Sequence, residues 1–333
     1  MATTGRVAIL GAGAWGTAIA VMLSRRGIPT VLCVRRRAQL DAMVRARENG
    51  AYLPGISLPV TLDLSIEWRD SAASADVLVL AVPSSYARAS VAPIADAIRP
   101  DTILVSATKG IEEATLKTMT GMLAEMAPRS PTAALSGPGF AAEVARGLPA
   151  ALVAASRDES VARRIQQLFA EKTLRVYSSL DVIGVEICGS VKNVIAIAAG
   201  VSDGLGLGSS ARAAVITRGL AEIMRLVEAA GGRRDTAAGL AGLGDLVLTC
   251  TGNLSRNRSA GLALARGEPP PINSPENRPV AEGVINARSV LAKATSLGVE
   301  MPIVRAVYRG LYEGQAPNAM VEELLSRALK AEF

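Results

Sequence analysis

RVAILGAGAWGTAIAVMLSRRG, residues 6–27, is the stretch that decides the fold of this chain. A short apolar strand over residues 6–10 is followed by a glycine-rich turn and then by a helical run over residues 17–26. In a G-x-G-x-x-G turn between strand and helix, the first glycine permits the tight turn, the second lets a pyrophosphate approach and the third lets helix and strand pack closely. We therefore expect Gly11, Gly13 and Gly16 to form a dinucleotide site, with phosphates held at the start of the helix. The alternative is a glycine-rich turn in another kind of α/β domain.

The end of the second predicted strand, Thr30 to Val34, carries three arginines and no acid. An NAD enzyme usually has Asp or Glu there to bind the ribose 2′-hydroxyl. The guanidinium groups of Arg35 and Arg36 suit a 2′-phosphate instead, which favours NADP over NAD. A solvated basic start of a helix is the alternative interpretation.

Further apolar strands are predicted over residues 77–82, 102–106, 132–135, 150–154 and 174–177, with helical runs between them, for example over 87–97, 115–126 and 160–169. Alternating strands and helices predict an α/β fold with a doubly wound parallel sheet of the Rossmann type. Ligands of such sheets bind at the carboxyl ends of the strands. Ser84, Lys109 and Gly137 fall at such ends, and Lys109 is a candidate anion ligand.

The second half of the chain has a helical pattern, with segments predicted over residues 184–199, 212–230, 237–245, 257–266, 281–297, 302–312 and 318–330. Residues 267–279 are rich in proline and predict a loop. We place the domain boundary near residues 178–181. The prediction is therefore a dinucleotide-binding Rossmann domain over 1–180 and an all-α substrate-binding and catalytic domain over 181–333.

One lysine, Lys192, lies in the almost wholly apolar helix predicted over 184–199. A helix that is apolar on all sides is usually buried, and an unpaired buried ammonium is costly. Lys192 is therefore either a structural lysine paired with an acid such as Glu186, or a chemical group. The chain contains no histidine, so any proton transfer falls to Lys, Asp, Glu, Tyr or Cys.

Two other stretches of the helical half carry polar groups suited to chemistry. Asp245 ends the small, apolar run over 239–245, and Ser255, Arg256 and Asn257 stand together at a predicted helix start. A helix start with guanidinium and amide donors is a good anion site. The alternatives are a cap or salt-bridge partner for Asp245 and a plain helix cap for Ser255.

Composition narrows the class of protein. The 333 residues carry 36 Lys and Arg against 30 Asp and Glu, a net charge of +6, without a basic block interleaved with aromatics. That balance suits an anionic substrate and cofactor and gives no sign of nucleic-acid binding. Cysteines 33, 188 and 250 are few and scattered, which indicates reduced thiols in a cytoplasmic protein. The uncharged run over 7–24 is interrupted by glycines, so we expect neither a signal peptide nor a membrane span. No metal site is expected.

Motifs in order along the whole chain resemble those of the bacterial NAD(P)-dependent sn-glycerol-3-phosphate dehydrogenases. They are GAGAWGT over 11–17, VPS over 82–84, ATKG over 107–110, SGP over 136–138, VKNV over 191–194, ITRGLAE over 216–222, GLAGLGDLVLTC over 239–250, SRNR over 255–258 and EG over 282–283.

The resemblance implies reversible hydride transfer between NADP, preferred here, or NAD and dihydroxyacetone phosphate, which gives sn-glycerol 3-phosphate for phospholipid synthesis. It implies a homodimer, with Lys192 as the acid/base and Asp245 as its partner in catalysis. We expect the substrate to contact Lys109, Gly137, Gly139, Lys192, Asp245, Ser255, Arg256 and Asn257. We expect the cofactor to contact the three glycines of the turn together with Ala14, Trp15, Arg35, Arg36, Lys109, Ala141, Arg256, Val280 and Glu282.

The expected chemistry agrees with ordinary carbonyl reduction. Negative charge develops on the carbonyl oxygen, and a nearby ammonium stabilises it and supplies the proton. Desolvation beside other cations should lower the pKa of Lys192. Asp245 would orient Lys192 or the substrate hydroxyl.

Three departures from the family pattern concern affinity. Ser210 stands where the family usually has Asn, Gly139 stands where it has Ser or Thr, and residues 267–279 are usually a helical run. Two alternatives to the dehydrogenase remain open: a related two-domain dehydrogenase acting on another phosphorylated or hydroxy-acid substrate, and a dinucleotide sensor without catalysis.

Overall fold

An eight-stranded sheet forms the first half of the chain. The computed structural model describes residues 5–268, 281–329 and 331. The strands are β1 (Val7–Leu10), β2 (Thr30–Cys33), β3 (Asp63–Ser65), β4 (Val77–Leu80), β5 (Ile103–Ser106), β6 (Thr132–Ser136), β7 (Ala150–Ala155) and β8 (Leu174–Ser179). β1, β4 and β5 are buried at every position, as strands covered by helices on both faces must be.

The strand order is β3-β2-β1-β4-β5-β6-β7-β8, and β1 to β6 are parallel. The chain leaves β1 toward β2 on one side and later returns to β4 on the other. The carboxyl end of β1, where the glycine-rich turn begins, is therefore the switch point at which such sheets bind ligands. The predicted doubly wound sheet of the Rossmann type is confirmed.

The last two strands differ from the prediction of a fully parallel sheet. β7 pairs antiparallel with β6, and β8 pairs parallel with β7. Between β6 and β7 lies only the five-residue helix α6 (Ala141–Ala145), which is too short for a parallel crossover. The chain therefore turns back beside β6. At the opposite edge, β3 was not predicted, because it has three residues of mixed polarity and is partly exposed.

Helices cover both faces of the sheet. Along β1, Val7 and Ile9 belong to one core, and Ala8 and Leu10 belong to a second core. The other helices of this half are α1 (Ala14–Arg25), α2 (Arg37–Ala46), α3 (Trp68–Ala73), α4 (Ala87–Val91), α5 (Met119–Met126) and α7 (Glu159–Phe169). The helix predicted over 87–97 becomes 3₁₀-helical from Ala92 on, and the helix predicted over 115–126 starts only at Met119.

The second half is helical, as predicted. Its helices are α8 (Val182–Gly204), α9 (Gly208–Ala229), α10 (Arg234–Ala238), α11 (Asp245–Thr251), α12 (Arg256–Ala265), α13 (Glu282–Ser296), α14 (Pro302–Tyr312) and α15 (Pro317–Leu325). The single helix predicted over 237–245 is wrong, because a π-helical turn over Leu240–Gly244 separates α10 from α11. The predicted loop over 267–279 lies outside the described residues from 269 on.

Helix α8 is the centre of this half, and α9, α11, α12, α13 and α14 pack around it. It is longer than predicted, 23 residues, and its apolar residues form the middle of a separate core. By length and hydropathy it could cross a membrane, but 89% of its most apolar window is buried inside the fold, as in a core helix. We propose the domain boundary at 180/181, between the end of β8 and Asp181, whose side chain caps α8 by accepting from the Gly184 N–H.

Candidate active site

The three glycines of the turn after β1 occupy three different environments. Gly11 has φ +113°, and a Cβ there would lie 2.7 Å from the Ala81 carbonyl oxygen. A Cβ at Gly16 would collide with the carbonyl oxygen of Gly11, so this glycine is needed for close packing. Apart from its chain neighbours, no atom of the described residues lies within 4 Å of the place that a Cβ on Gly13 would take, and none of their side chains caps α1. Open space beside uncapped N–H groups at a helix start fits a pyrophosphate.

The arginines after β2 lie beside two tyrosines. The Arg35 guanidinium carbon is 5.6 Å from the centre of the Tyr86 ring, in the 3₁₀ turn Ser84–Tyr86 that follows β4. Arg36 donates from Nη2 to the Tyr52 hydroxyl at 3.4 Å. Because β2 and β4 flank β1, Arg35 and Tyr86 meet across the carboxyl end of β1. These contacts hold two cations at the edge of the switch point.

A buried carboxylate joins two lysines from different halves of the chain. Lys192 of α8 donates to Asp245 Oδ1 at 3.0 Å, and Lys109, after β5, donates to Asp245 Oδ2 at 2.5 Å. Lys109 also donates to the Gly137 carbonyl oxygen at 3.2 Å. The side chains of Lys192 and Asp245 are 7% and 2% exposed, whereas that of Lys109 is 17% exposed.

Helix α11 supplies two groups to Lys192. Asp245 and Thr249 are one helical turn apart and therefore face α8 together. Thr249 Oγ1 accepts from Lys192 Nζ at 2.7 Å and lies 2.6 Å from the Asp245 carbonyl oxygen. The alternative pairing of Lys192 with Glu186 is wrong. Glu186 accepts instead from the N–H and hydroxyl of Thr120 in α5, since it lies nearly two turns before Lys192 on α8.

The environment shifts the pKa of each of these groups. Burial lowers the pKa of Lys192 to about 8, Asp245 opposes this shift, and the positive charge of Lys109 lowers the value further. Burial acts to raise the pKa of Asp245, but the two lysines outweigh it and hold that pKa below its ordinary value. The predicted lowering of the Lys192 pKa beside another cation agrees with these contacts. A lysine with this pKa exchanges protons near neutrality.

These groups open into one cleft. Its walls come from the glycine-rich turn and α1, from the ends of β4 and β5, from α8, and from the starts of α6, α11, α12 and α13. The lining residues are Ala14, Trp15, Ala81, Val82, Ala107, Thr108, Lys109, Gly139, Phe140, Ala141, Lys192, Asn193, Asp245, Leu248, Thr249, Leu254, Ser255, Arg256, Asn257 and Glu282. Its lining combines apolar side chains with a few convergent polar and charged groups, as ligand sites do.

The start of α12 lies on the cleft wall. Ser255 caps this helix, which is the alternative role given above, by accepting from the Arg258 N–H at 3.2 Å. Both ends of the Asn257 amide contact protein: Nδ2 donates to Asn193 Oδ1 at 2.8 Å, and Oδ1 accepts from the Gly283 N–H at 2.8 Å. Asn257 therefore ties α12 to α8 and α13, while Arg256 reaches the cleft at the first turn of the helix.

Comparison with known proteins identifies the family. Family models described as the NAD-dependent glycerol-3-phosphate dehydrogenase N-terminus and C-terminus match residues 6–162 and 181–322. A glycerol-3-phosphate dehydrogenase [NAD(P)+] of Anaeromyxobacter dehalogenans is 48% identical over 331 residues, which are 98% of this chain and 100% of that protein. The corresponding protein of Geobacter sulfurreducens is 47% identical over 330 residues, 98% of each chain. The chain belongs to the glycerol-3-phosphate dehydrogenase family.

Solved structures agree with this membership. The crystal structure of glycerol-3-phosphate dehydrogenase from Coxiella burnetii has a TM-score of 0.93 and 40% identity, and the match covers 97% of this chain and 99% of that one. A ketopantoate reductase from Ralstonia eutropha, at 17% identity and a TM-score of 0.61, shares the fold alone. The predicted family and the predicted NAD(P)-dependent oxidoreductase class are confirmed.

Most residues expected at the site of this family member line the cleft. Gly137 does not line it, but its carbonyl oxygen binds Lys109. Gly11, Gly13 and Gly16 form the turn between β1 and α1 and are not among the lining residues. Arg35 and Arg36 follow β2 and do not line the cleft either. Val280 lies outside the described residues. The roles expected of these residues stay predictions.

Asn193 and Thr249 were not predicted as site residues, although both stand in motifs that the resemblance uses. Asn193 directly follows Lys192 in the sequence, and Thr249 lies one helical turn after Asp245 on the same helix face. These spacings are the signals that could have indicated the two residues. Phe140 and Leu254 carry no chemical signal and were also missed. Of the departures, Ser210 is exposed at the start of α9 and does not line the cleft, whereas Gly139 does.

Proposed function

We propose that this protein catalyses the reversible NAD(P)-dependent reduction of dihydroxyacetone phosphate to sn-glycerol 3-phosphate. The observation that carries the proposal is the Lys192–Asp245–Lys109 cluster, buried in a cleft between a dinucleotide-type glycine turn and the start of α12. The chain matches two relatives named glycerol-3-phosphate dehydrogenase [NAD(P)+] over almost its whole length, and that name states glycerol 3-phosphate as the reactant that is oxidised.

Lys192 acts as the general acid in the reduction. When bound, the nicotinamide cofactor supplies the hydride in the reduction and accepts it in the reverse direction. Lys192 stabilises the negative charge that develops on the substrate carbonyl oxygen and donates its proton to that oxygen. In the reverse direction neutral Lys192 removes the hydroxyl proton. Asp245 holds the ammonium in place, and Lys109 adds a second positive charge beside the reacting end.

The start of α12 binds the substrate phosphate. Arg256 supplies a charged donor at the first turn of α12, and helix starts of this kind bind anions through their N–H groups. Asn257 supports this wall through its bonds to α8 and α13 and has one Nδ2 hydrogen left for a ligand. Binding of the phosphate places the carbonyl near Lys192, which converts binding energy into orientation. Gly139, which also lines the cleft, presents no hydroxyl.

The glycine turn holds the cofactor, with Ala14, Trp15, Ala141 and Glu282 around it in the cleft. NADP is the preferred form, since Arg35 and Arg36 place guanidinium groups where an NAD enzyme places an acid. Val280 is proposed on the resemblance alone. As in the family resemblance, we propose a cytoplasmic homodimer that supplies sn-glycerol 3-phosphate for phospholipid synthesis.

Steady-state oxidation of NADPH in the presence of dihydroxyacetone phosphate tests this function. Dihydroxyacetone and NADH serve as parallel controls. Fast turnover with the phosphate ester, and slow turnover with dihydroxyacetone, is the expected result. Clear NADPH binding without turnover would favour a dinucleotide sensor. Turnover of other phosphorylated or hydroxy-acid substrates in place of this one would favour a related dehydrogenase.

A further inference from the structure

Asn286 of α13 is a fully buried amide outside the cleft, with contacts to both halves of the chain. Its Nδ2 donates to the Lys109 carbonyl oxygen at 2.9 Å and lies 3.4 Å from the Ser190 carbonyl oxygen of α8. Its Oδ1 accepts from the Ser84 hydroxyl at 3.3 Å. One side chain therefore binds the segment after β4, the segment after β5 and the helix that carries Lys192.

The neighbourhood of Asn286 leaves little freedom to the Lys109 segment. Gly110 packs so closely that a Cβ there would lie 2.9 Å from Asn286 Oδ1 and would collide with Ser84. A side-chain amide in such a place satisfies backbone and hydroxyl groups that would otherwise be buried unpaired. Two residues of the helical half therefore hold Lys109: Asn286 binds its backbone carbonyl oxygen, and Asp245 binds its ammonium group.

We propose that Asn286 is a positioning residue that holds Lys109 against Asp245. The proposal rests on the proposed function, because Lys109 matters only if the cluster performs the reaction. Asn286 does not line the cleft, so it acts through Lys109 and not on the substrate.

Removal of the Asn286 side-chain amide should lower the rate of the reduction because it changes the position of Lys109. Without Nδ2 the Lys109 carbonyl loses its partner and the segment can shift, which moves the ammonium relative to Asp245. A displacement of about 1 Å in a catalytic group can cost roughly 100-fold in rate. We expect Asn286→Ala to lower kcat/KM for dihydroxyacetone phosphate by roughly 10- to 100-fold. Wild-type turnover is measured first, so that a failure of the proposed function is recognised separately.

A double-mutant cycle with Lys109→Met separates positioning from general damage. If Asn286 acts through Lys109, Asn286→Ala should cause little further loss in the Lys109→Met background. A merely structural role would cause the same fold-loss in both backgrounds. Ser289→Ala is the matched control, since Ser289 is buried one turn along α13 and its hydroxyl contacts only the Asn286 carbonyl oxygen among its described bonds.

The pH profile gives a second readout that structural damage would not move. The charged groups that act on Lys192 are Asp245, Lys109 and Glu282, and Lys109 lowers its pKa. A displaced Lys109 should therefore move the alkaline fall of the reduction rate to higher pH in Asn286→Ala. Lys109→Met should shift it in the same direction, and the double variant should not shift it further.

Three results would overturn the proposal: equal fold-losses in both backgrounds, a folded Asn286→Ala with wild-type kcat/KM, or a loss of rate with an unmoved pH profile. If Asn286→Ala does not fold by circular dichroism, Asn286→Leu replaces it in the same cycle. Leucine has nearly the same size, adds no charge and has no donor, so the Lys109 carbonyl again loses its partner.

Discussion

Lys192 Nζ lies 3.0 Å from Asp245 Oδ1, while the other oxygen of the same carboxylate binds Lys109 at 2.5 Å. With both lysines protonated this buried cluster carries one net positive charge. Such a charge favours an anionic transition state, and it also makes loss of a proton from Lys192 easier. The carboxylate and the second lysine therefore adjust the pKa of Lys192 in opposite directions.

Lys192→Ala should reduce kcat by about 100-fold or more, because the acid that protonates the substrate oxygen is lost. Steady-state kinetics with NADPH and dihydroxyacetone phosphate measure the loss. Lys293→Ala, at a partly exposed site in the last turn of α13, is a control for the removal of one charge. Full activity in Lys192→Ala would mean that another group performs the proton transfer.

The two directions of the reaction should depend on pH with opposite signs. Reduction needs protonated Lys192, whose pKa is about 8, so its rate should fall as the pH rises through that value. Oxidation of glycerol 3-phosphate needs the neutral amine, and its rate should rise through the same range. Rate profiles in both directions test this, and a reduction rate that rises in that range would contradict it.

Asp245→Asn and Lys109→Met should shift the reduction profile in opposite directions. Asp245 raises the pKa of Lys192 and Lys109 lowers it, so loss of the carboxylate moves the alkaline fall to lower pH. Loss of the second lysine moves it to higher pH. Both variants should also lose rate. Shifts of the same sign in both variants would show that the cluster does not set this pKa.

The sequence predicted the glycine turn, the switch-point architecture and the helical half because each depends on local pattern. The spacing of the three glycines is enough to assign the tight turn to Gly11, the approach of the pyrophosphate to Gly13 and the close packing of helix and strand to Gly16. The reversed β7 could not be predicted in this way. Its direction depends on the shortness of α6, and the seven residues between Gly139 and Gly147 give no clear helical pattern.

The partners of Lys192 lay beyond the reach of local pattern. Asp245 is 53 residues away along the chain, and Lys109 is 136 residues from Asp245. Glu186, the nearby acid, was the easier partner to guess, but its carboxylate caps α5 instead. Thr249 contacts Lys192, and Asn286 contacts the backbone of Lys109, only because α11 and α13 pack on α8. No single stretch of sequence encodes this packing.

Replacement of Arg35 and Arg36 together by alanine should raise KM for NADPH by roughly 10- to 100-fold and leave KM for NADH nearly unchanged. The reason is that only NADPH carries the 2′-phosphate. Kinetics with both cofactors check the result. Arg45→Ala, at an exposed position in the last turn of α2, is the control for removal of one exposed positive charge, half the charge that the double variant loses. Equal losses for the two cofactors would remove the argument for a 2′-phosphate site.

Glu222 of α9 should make the stability of the helical half depend on pH. Its buried carboxylate accepts from the Ile303 and Val304 N–H groups at 2.7 and 3.3 Å, at the start of α14. Burial nevertheless raises the pKa of Glu222 to about 7 from an ordinary value of 4.5. The folded state therefore holds a proton that the unfolded chain has lost, and this contribution to stability disappears as the pH rises from about 4.5 to about 7.

Glu222→Gln cannot titrate, so the melting temperature of the wild type relative to this variant should fall over that range. Glu228→Gln, at an exposed site on the same helix, should show no such trend. A constant difference between the wild type and Glu222→Gln would mean that the carboxylate is ionised in the fold throughout, held by the N–H groups of α14.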